Sequence, residues 1–298
     1  MAQTKSQIQE ALNSANSHPR HRFGQNFMID QNLVRLVAAA GEIHSGDVVI
    51  EVGPGTGTLT EELLASAAKK IIALEIDRDL ANILRQRWES DGRFHLIEGD
   101  ALAGKHGLNP DLLAVLNESN TSGAPTKLVA NLPYNIASPL VIDLLQAGVA
   151  TLVFTVQKEV ADRLRAPAND DAYGPLSVMA QLLSDVEVLR TLPQHAFWPA
   201  PKIRSALVRM VRHDQLGRIA PAFGRFVHQI FSARRKTLRN ALLRADIQPD
   251  APLSQLQFDG SRRPEEFAPL ELLALFRAAG GAEQKDRSAE SGPNNAGE

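Results

Sequence analysis

The sequence predicts an α/β protein: a Rossmann-like, doubly wound sheet of seven strands followed by a small all-helical C-terminal domain. Three observations carry this. Through the first two-thirds of the 298 residues, short apolar runs alternate with segments of 3.6-residue periodicity, the pattern of a mostly parallel sheet flanked by helices. The first apolar run, Val48–Val52, enters the glycine stretch Gly53-Pro54-Gly55-Thr56-Gly57 and then a helical pattern. After Arg212 the strand-like runs cease and helical periodicity remains.

Taken in order, the strands are expected at Val48–Val52, Ile71–Glu75, Phe94–Glu98, Lys127–Ala130, Thr151–Val156, Val186–Leu192 and Ile203–Val211. Apolar spacing predicts helices over Leu59–Ala68, Asp79–Trp88, Pro139–Leu145 and Leu176–Leu183. Between the last two strands the loop holding Phe197, Trp198, Pro199 and Pro201 is too short for a crossover helix, so these strands should pair antiparallel. An otherwise parallel sheet ending in such a hairpin is typical of adenosylmethionine-dependent methyltransferases. Beyond it, helices are expected at Phe223–Phe231, Lys236–Arg244 and Leu270–Arg277. The segments Asn109–Thr126 and Ala166–Tyr173, rich in Gly, Pro, Asn and Asp, read as exposed loops. The domain reading is a disordered segment at 1–17, a cofactor-binding catalytic domain at 18–212, a helical RNA-binding domain at 213–280 and a disordered tail at 281–298.

Composition narrows the function. Hydrophobic residues at 44% and charged residues at 22% are ordinary for a globular protein. There is no cysteine, which excludes disulfides and zinc-thiolate sites, and the eight histidines are scattered, so no metal is expected. The absence of a leader-like N-terminus and of any span of about eighteen apolar residues points to a cytoplasmic protein. The net charge of −2 conceals a strong asymmetry: between Lys202 and Arg244 there are eleven basic residues against Asp214 alone. They include Lys202, Arg204, Arg234, Arg235, Lys236 and Arg239, and a smaller basic group holds Arg20 and Arg22. Charge concentrated this way is the footprint of a phosphate-backbone partner, with a solvated helical face as the plainer alternative.

In the loop after the first strand, Gly53, Gly55 and Gly57 let the backbone turn sharply and approach a ligand with no side chain between. Glu75, twenty-two residues past Gly53 at the end of the next strand, is placed to accept hydrogen bonds from ribose hydroxyls. Asp100, after the third strand, is a candidate partner for an adenine amino group. The third glycine comes one residue earlier than in the G-x-G-x-x-G fingerprint, which favours an adenosyl cofactor over NAD.

Asn131-Leu132-Pro133-Tyr134 follows the fourth strand. An adenine amino nitrogen is a poor nucleophile because its lone pair is delocalised into the ring. If the Asn131 side-chain oxygen and a nearby carbonyl, most simply that of Leu132, accept its two N–H bonds, the lone pair is relocalised toward a sulfonium methyl. Pro133 stiffens this turn, and Tyr134 offers a stacking face for an extruded base. Phe197 is a candidate second stacker, with packing inside the hairpin as the alternative.

These motifs, in order, closely resemble the bacterial small-subunit ribosomal RNA adenine N6,N6-dimethyltransferase family. The resemblance spans about residues 20–278 and includes Arg22-Phe23-Gly24-Gln25-Asn26-Phe27, Glu51–Gly57, Glu75-Ile76-Asp77, Gly99-Asp100-Ala101, Asn131–Ile136, Gln157–Val160, Tyr173–Val178, Pro199–Ser205 and Phe231–Leu238. It implies S-adenosyl-L-methionine as cofactor and transfer of two methyls to each of two adjacent adenines in the 3′-terminal hairpin of 16S rRNA, within an assembling small subunit. It also assigns Asn26 and Met28 to the cofactor site, joined by Gly53, Glu75, Asp100 and Asn131. Met28 stands where the family usually has Leu, a volume-conserving change, and Ala233 where Gln is commoner. A monomer is expected. Two alternatives remain: a ribosome-assembly checkpoint whose binding and release matter more than methylation, and a large-subunit rRNA adenine methylase.

Overall fold

A computed structural model describes residues 3–20, 23–104, 107–232 and 236–281. Its nine strands are β1 (Phe27–Met28), β2 (Val48–Val52), β3 (Lys70–Glu75), β4 (Phe94–Glu98), β5 (Thr126–Asn131), β6 (Thr151–Gln157), β7 (Ser184–Leu192), β8 (Phe197–Trp198) and β9 (Ser205–Arg212). Seven of them form one sheet in the order β4-β3-β2-β5-β6-β9-β7, and β1 pairs with β8 in a separate two-stranded ribbon. The strands from β4 to β6 run parallel, whereas β9 is antiparallel to both β6 and β7. Every residue of β2 is buried, as expected for a parallel strand covered on both faces. The order reverses at β2, so the carboxyl ends of β2 and β5 flank the crevice where α/β sheets place ligands.

By contact density the chain divides into two units, Met1–Arg165 with Ala180–Gln215, and Ala166–Met179 with Leu216–Glu298. In chain order the helices are α1 (Lys5–Ser14), α2 (Gln31–Ala40), α3 (Thr58–Leu64), α4 (Arg78–Trp88), α5 (Pro110–Ser122), α6 (Ala137–Gln146), α7 (Lys158–Arg165), α8 (Pro175–Leu183), α9 (Ala220–Phe231), α10 (Leu238–Arg244), α11 (Asp250–Leu256) and α12 (Pro269–Ala278). Phe223, Phe226 and Phe276 form the aromatic centre of the second unit, with ring centroids 5.3 to 6.1 Å apart. Among the described residues no helix is long and apolar enough to cross a membrane.

Three sequence expectations are corrected. Where a disordered segment was expected at 1–17, the described residues from 3 onward hold α1: Thr4 caps it in a reciprocal capping box with Gln7, and Ile8 and Leu12, one turn apart, are both buried. Asn109–Thr126 is not a loop but holds α5, because its loop-like residues are the helix's own punctuation, with Asn109 as N-cap, Pro110 in the first turn and Gly123 left-handed at the end. Ala166–Tyr173 is not a free surface loop either. Tyr173 is buried, donates its hydroxyl to the Phe267 carbonyl at 2.8 Å and meets the Phe231 ring edge-on, which ties residues 166–179 into the second unit. The expected tail from 281 lies, beyond Gly281, outside the described residues.

At the amino edge of the sheet, Lys127 and Asp47 are both buried and pair at 2.9 Å. The Asp47 carboxylate also accepts the His44 backbone N–H at 2.7 Å, and Lys127 donates to the Glu42 carbonyl. Removing one partner strands the other charge, so Lys127→Met should lower stability by roughly 3–5 kcal/mol in urea unfolding. The more open Arg209–Glu42 pair beside it should cost about 1 kcal/mol or less when Arg209 is replaced by Met. Equal losses from the two variants would contradict this ranking.

Candidate active site

The carboxyl ends of β2, β3 and β5, with the turn after β4, surround a cavity of about 970 Å³, its open mouth included. Gly53 leaves β2 with φ +71°, and a Cβ there would stand 3.1 Å from the Pro133 ring. The glycine loop and the Asn131–Tyr134 run are therefore neighbours on one wall. Asn26, Met28, Gly53, Gly55, Glu75 and Asp100 line the same cavity as Asn131, Leu132, Pro133 and Tyr134.

The charged side chains of the described lining are carboxylates: Glu51, Glu75 and Asp100. Glu75, at the end of β3, accepts the Gly55 N–H at 3.1 Å and the Asp77 N–H at 2.9 Å. Burial nevertheless outweighs these bonds and pushes its carboxyl up to about 7. Glu51, in the middle of the apolar β2, holds the Thr60 hydroxyl at 2.6 Å, and burial pushes it up to about 8. Asp100 is exposed at the mouth, its Oδ1 accepting the Leu102 N–H. Among the described residues no Lys, Arg or His lines this cavity. A carboxylate lining without a described basic side chain suits a cationic nucleoside with a ribose diol, which is the chemistry of adenosylmethionine.

At the other end of the wall, the Asn131 carboxamide is held at both atoms. Its Nδ2 donates to the Asn26 carbonyl at 2.7 Å, and its Oδ1 accepts the hydroxyl of Thr155, its register partner on β6. A carbonyl oxygen has two lone pairs, so Oδ1 keeps one for a substrate N–H. Tyr134 is tethered through its hydroxyl to Ser205 at 2.6 Å while its ring borders the cavity.

Several sequence-predicted residues are placed differently. Phe197 does not face the cavity: pairing of β8 with β1 sets it opposite Met28, and it is buried in the core with Val153, Leu192 and Leu207. Gly57 is not a lining residue, since it starts α3 and lies against the Trp88 ring. Arg20 is half-buried, and its guanidinium bridges Asp77 at 2.7 Å and Asp79 at 2.5 Å. Arg239 is half-exposed and paired with Asp250 at 2.5 Å. Lys202, Arg204 and Lys236 are exposed and carry no ion pair among the described residues. Arg22, Arg234 and Arg235 lie outside the described residues. Two residues went unassigned in the sequence. Glu51 was signalled by a carboxylate inside an otherwise apolar strand, whereas Thr155, inside β6, gave no signal short of the strand register.

Glu51 also makes stability depend on pH. Unfolded, it ionises near its ordinary 4.5, and folded, near 8, so between those values the native state holds a proton that the unfolded chain has lost. Its contribution to stability therefore falls as pH rises through that window. Glu51→Gln removes this slope, and the urea midpoint of the variant should gain on the wild type from pH 5 to pH 8. Parallel curves across that range would contradict the burial argument.

Comparison with known proteins identifies the family. The family model described as ribosomal RNA adenine dimethylase matches residues 16–255. Proteins named ribosomal RNA small subunit methyltransferase A are similar throughout: that of Chromohalobacter salexigens is 39% identical over 86% of this chain and 89% of its own, and that of Methylococcus capsulatus 40% identical over 87% and 97%. Among solved structures, a dimethyladenosine transferase from Plasmodium falciparum shares the fold, with a TM-score of 0.67 and 23% identity over 85% of this chain and 98% of that one. The 23S rRNA methyltransferase ErmE superposes with a TM-score of 0.60 and 26% identity over 86% of this chain and all of its own. With a family match covering most of its length and relatives near 40% identity, the chain belongs to the ribosomal RNA adenine dimethylase family.

Proposed function

We propose that this S-adenosyl-L-methionine-dependent methyltransferase dimethylates N6 of two adjacent adenines in the 3′-terminal hairpin of 16S rRNA, acting as a cytoplasmic monomer on an assembling small subunit. The observation that carries the reading is the shared wall: an acid-lined, cation-free nucleoside cavity abuts Asn131, Leu132, Pro133 and Tyr134. The relatives near 40% identity are named for the small subunit, which favours that substrate over the large-subunit rRNA named for ErmE.

When bound, S-adenosylmethionine supplies an electrophilic methyl on a positive sulfonium. Glu75 would hold the cofactor by its ribose hydroxyls, Asp100 would take its adenine amino group, and Asn26 and Gly53 would complete the pocket. The substrate amino group is the task of Asn131 and Leu132. Their oxygens accept its two N–H bonds, draw the nitrogen toward tetrahedral geometry and direct its lone pair at the methyl. Tyr134, steadied by Ser205, stacks on the base taken out of its helix. No side-chain base is needed before transfer, since the ammonium formed loses its proton readily to water. Lys202, Arg204, Arg234, Arg235, Lys236 and Arg239 hold phosphates and position the RNA without reading its bases.

The test is transfer of labelled methyl from S-adenosylmethionine to unmethylated small subunits, with large subunits and duplex DNA in parallel, followed by nucleoside analysis. Dimethyladenosine confined to small-subunit RNA is expected, and label in large-subunit RNA would reassign the substrate. Asn131→Ala should lower kcat by about 10²–10³. Thr155→Val, which frees the carboxamide without removing it, should lower kcat by roughly three- to thirtyfold, with Thr155→Ser recovering most of the loss. A Thr155→Val enzyme as fast as wild type would show that the hydroxyl does not position Asn131.

A further inference from the structure

Helix α1 lies outside the span that matches the family model, yet it bears on the cofactor loop through three separate contacts. The first is polar. Gln3, just before the helix, is buried, and its Oε1 accepts both the Thr56 hydroxyl at 2.6 Å and the Thr58 hydroxyl at 2.9 Å. Those two threonines are themselves buried and flank Gly57 in the loop and at the start of α3, so a single oxygen gathers both sides of the turn. The second contact is apolar. Ile8 and Leu12 of α1 share a buried cluster with Phe27, Leu80 and Ile83. Phe27 lines the cavity, and its ring packs so close to Gly55 that a Cβ there would stand 2.8 Å away. The third runs through Trp198, which stacks on Phe27 with ring centroids 6.2 Å apart and carries the Lys5 ammonium over its ring, 5.8 Å from the centroid.

A ten-residue helix does not persist alone in water, so α1 is ordered because it is docked. Its docking and the shape of the loop are therefore one equilibrium. We propose that α1 is a latch on the cofactor loop and that Gln3 is its positioning residue, holding Thr56 and Thr58 so that Gly53–Gly57 keeps the conformation that admits the adenosyl ligand. The inference rests on the placement of the cofactor in this cavity. Coupling is reciprocal: a ligand that binds better with α1 docked must itself tighten the docking.

The experiment uses the full chain and S-adenosylhomocysteine as probe, with calorimetry for affinity and hydrogen exchange for α1. Gln3→Ala should weaken binding by roughly five- to tenfold, the scale of the lost hydrogen bonds to the Thr56 and Thr58 hydroxyls and the Thr56 carbonyl. It should raise the KM for S-adenosylmethionine while leaving kcat at saturation close to wild type, and Gln3→Glu, which still accepts from both hydroxyls but loses the Nε2 donation to the Thr56 carbonyl, should recover only part of the affinity. In the wild type, the probe should slow amide exchange in residues 5–14, and in Gln3→Ala that protection should shrink. Wild-type affinity in Gln3→Ala, or exchange in α1 indifferent to the probe, would overturn the latch. A wild-type chain that fails to bind S-adenosylhomocysteine at all would instead overturn the cofactor site on which the latch rests.

Discussion

The site depends on the burial of carboxylates without a matching cation. Glu51 sits inside β2 and Glu75 at the end of β3, each almost out of reach of water, and the described lining of their cavity contains no basic side chain. Ionising either group without a ligand is costly, and both are pushed well above the usual carboxylate range. Folding thus maintains an unfavourable electrostatic situation that a positively charged nucleoside relieves.

Much of the surrounding structure serves to hold that arrangement. Arg20 spends its charge on Asp77 and Asp79 beside the cavity, and Gln25 donates to Asp77 as well, so the acidic start of α4 is neutralised from outside the cavity. The Asp77 N–H in turn fixes one oxygen of Glu75, and the Gly55 N–H fixes the other. On the substrate side, Thr155 and the Asn26 carbonyl orient Asn131 from neighbouring strands and from the segment before β1. Both ends of the site are therefore positioned by residues distant in sequence and adjacent in space.

The sheet was largely legible because its parallel strands are continuous apolar runs, and β2, β4 and the β7–β9 hairpin lie where those runs indicate. The glycine loop, Glu75 and Asn131–Tyr134 were legible because they are local motifs at strand ends. What escaped was set by pairing across long separations. Nothing near Phe197 indicates that β8 pairs with β1 and turns that ring into the core, and nothing near Arg20 announces two aspartates at the start of α4. Asn109, Pro110 and Gly123 carry loop chemistry in isolation and cap chemistry in context, since the residues that end helices also make turns. Helix α1 has too few apolar residues to stand out, and Ile8 and Leu12 gain meaning only from the Phe27 cluster that covers them.

The central claim is that two buried carboxyls, both held well above the usual carboxylate range, await a cation, and it is tested most directly by counting protons. Calorimetric titration of the protein with S-adenosylmethionine at about pH 7, in two buffers of different ionisation enthalpy, gives the number exchanged on binding. Net release is expected, because the bound positive charge favours ionised Glu51 and Glu75, and the release should diminish in Glu51→Gln. Tight binding with no proton exchange, or with net uptake, would contradict the account.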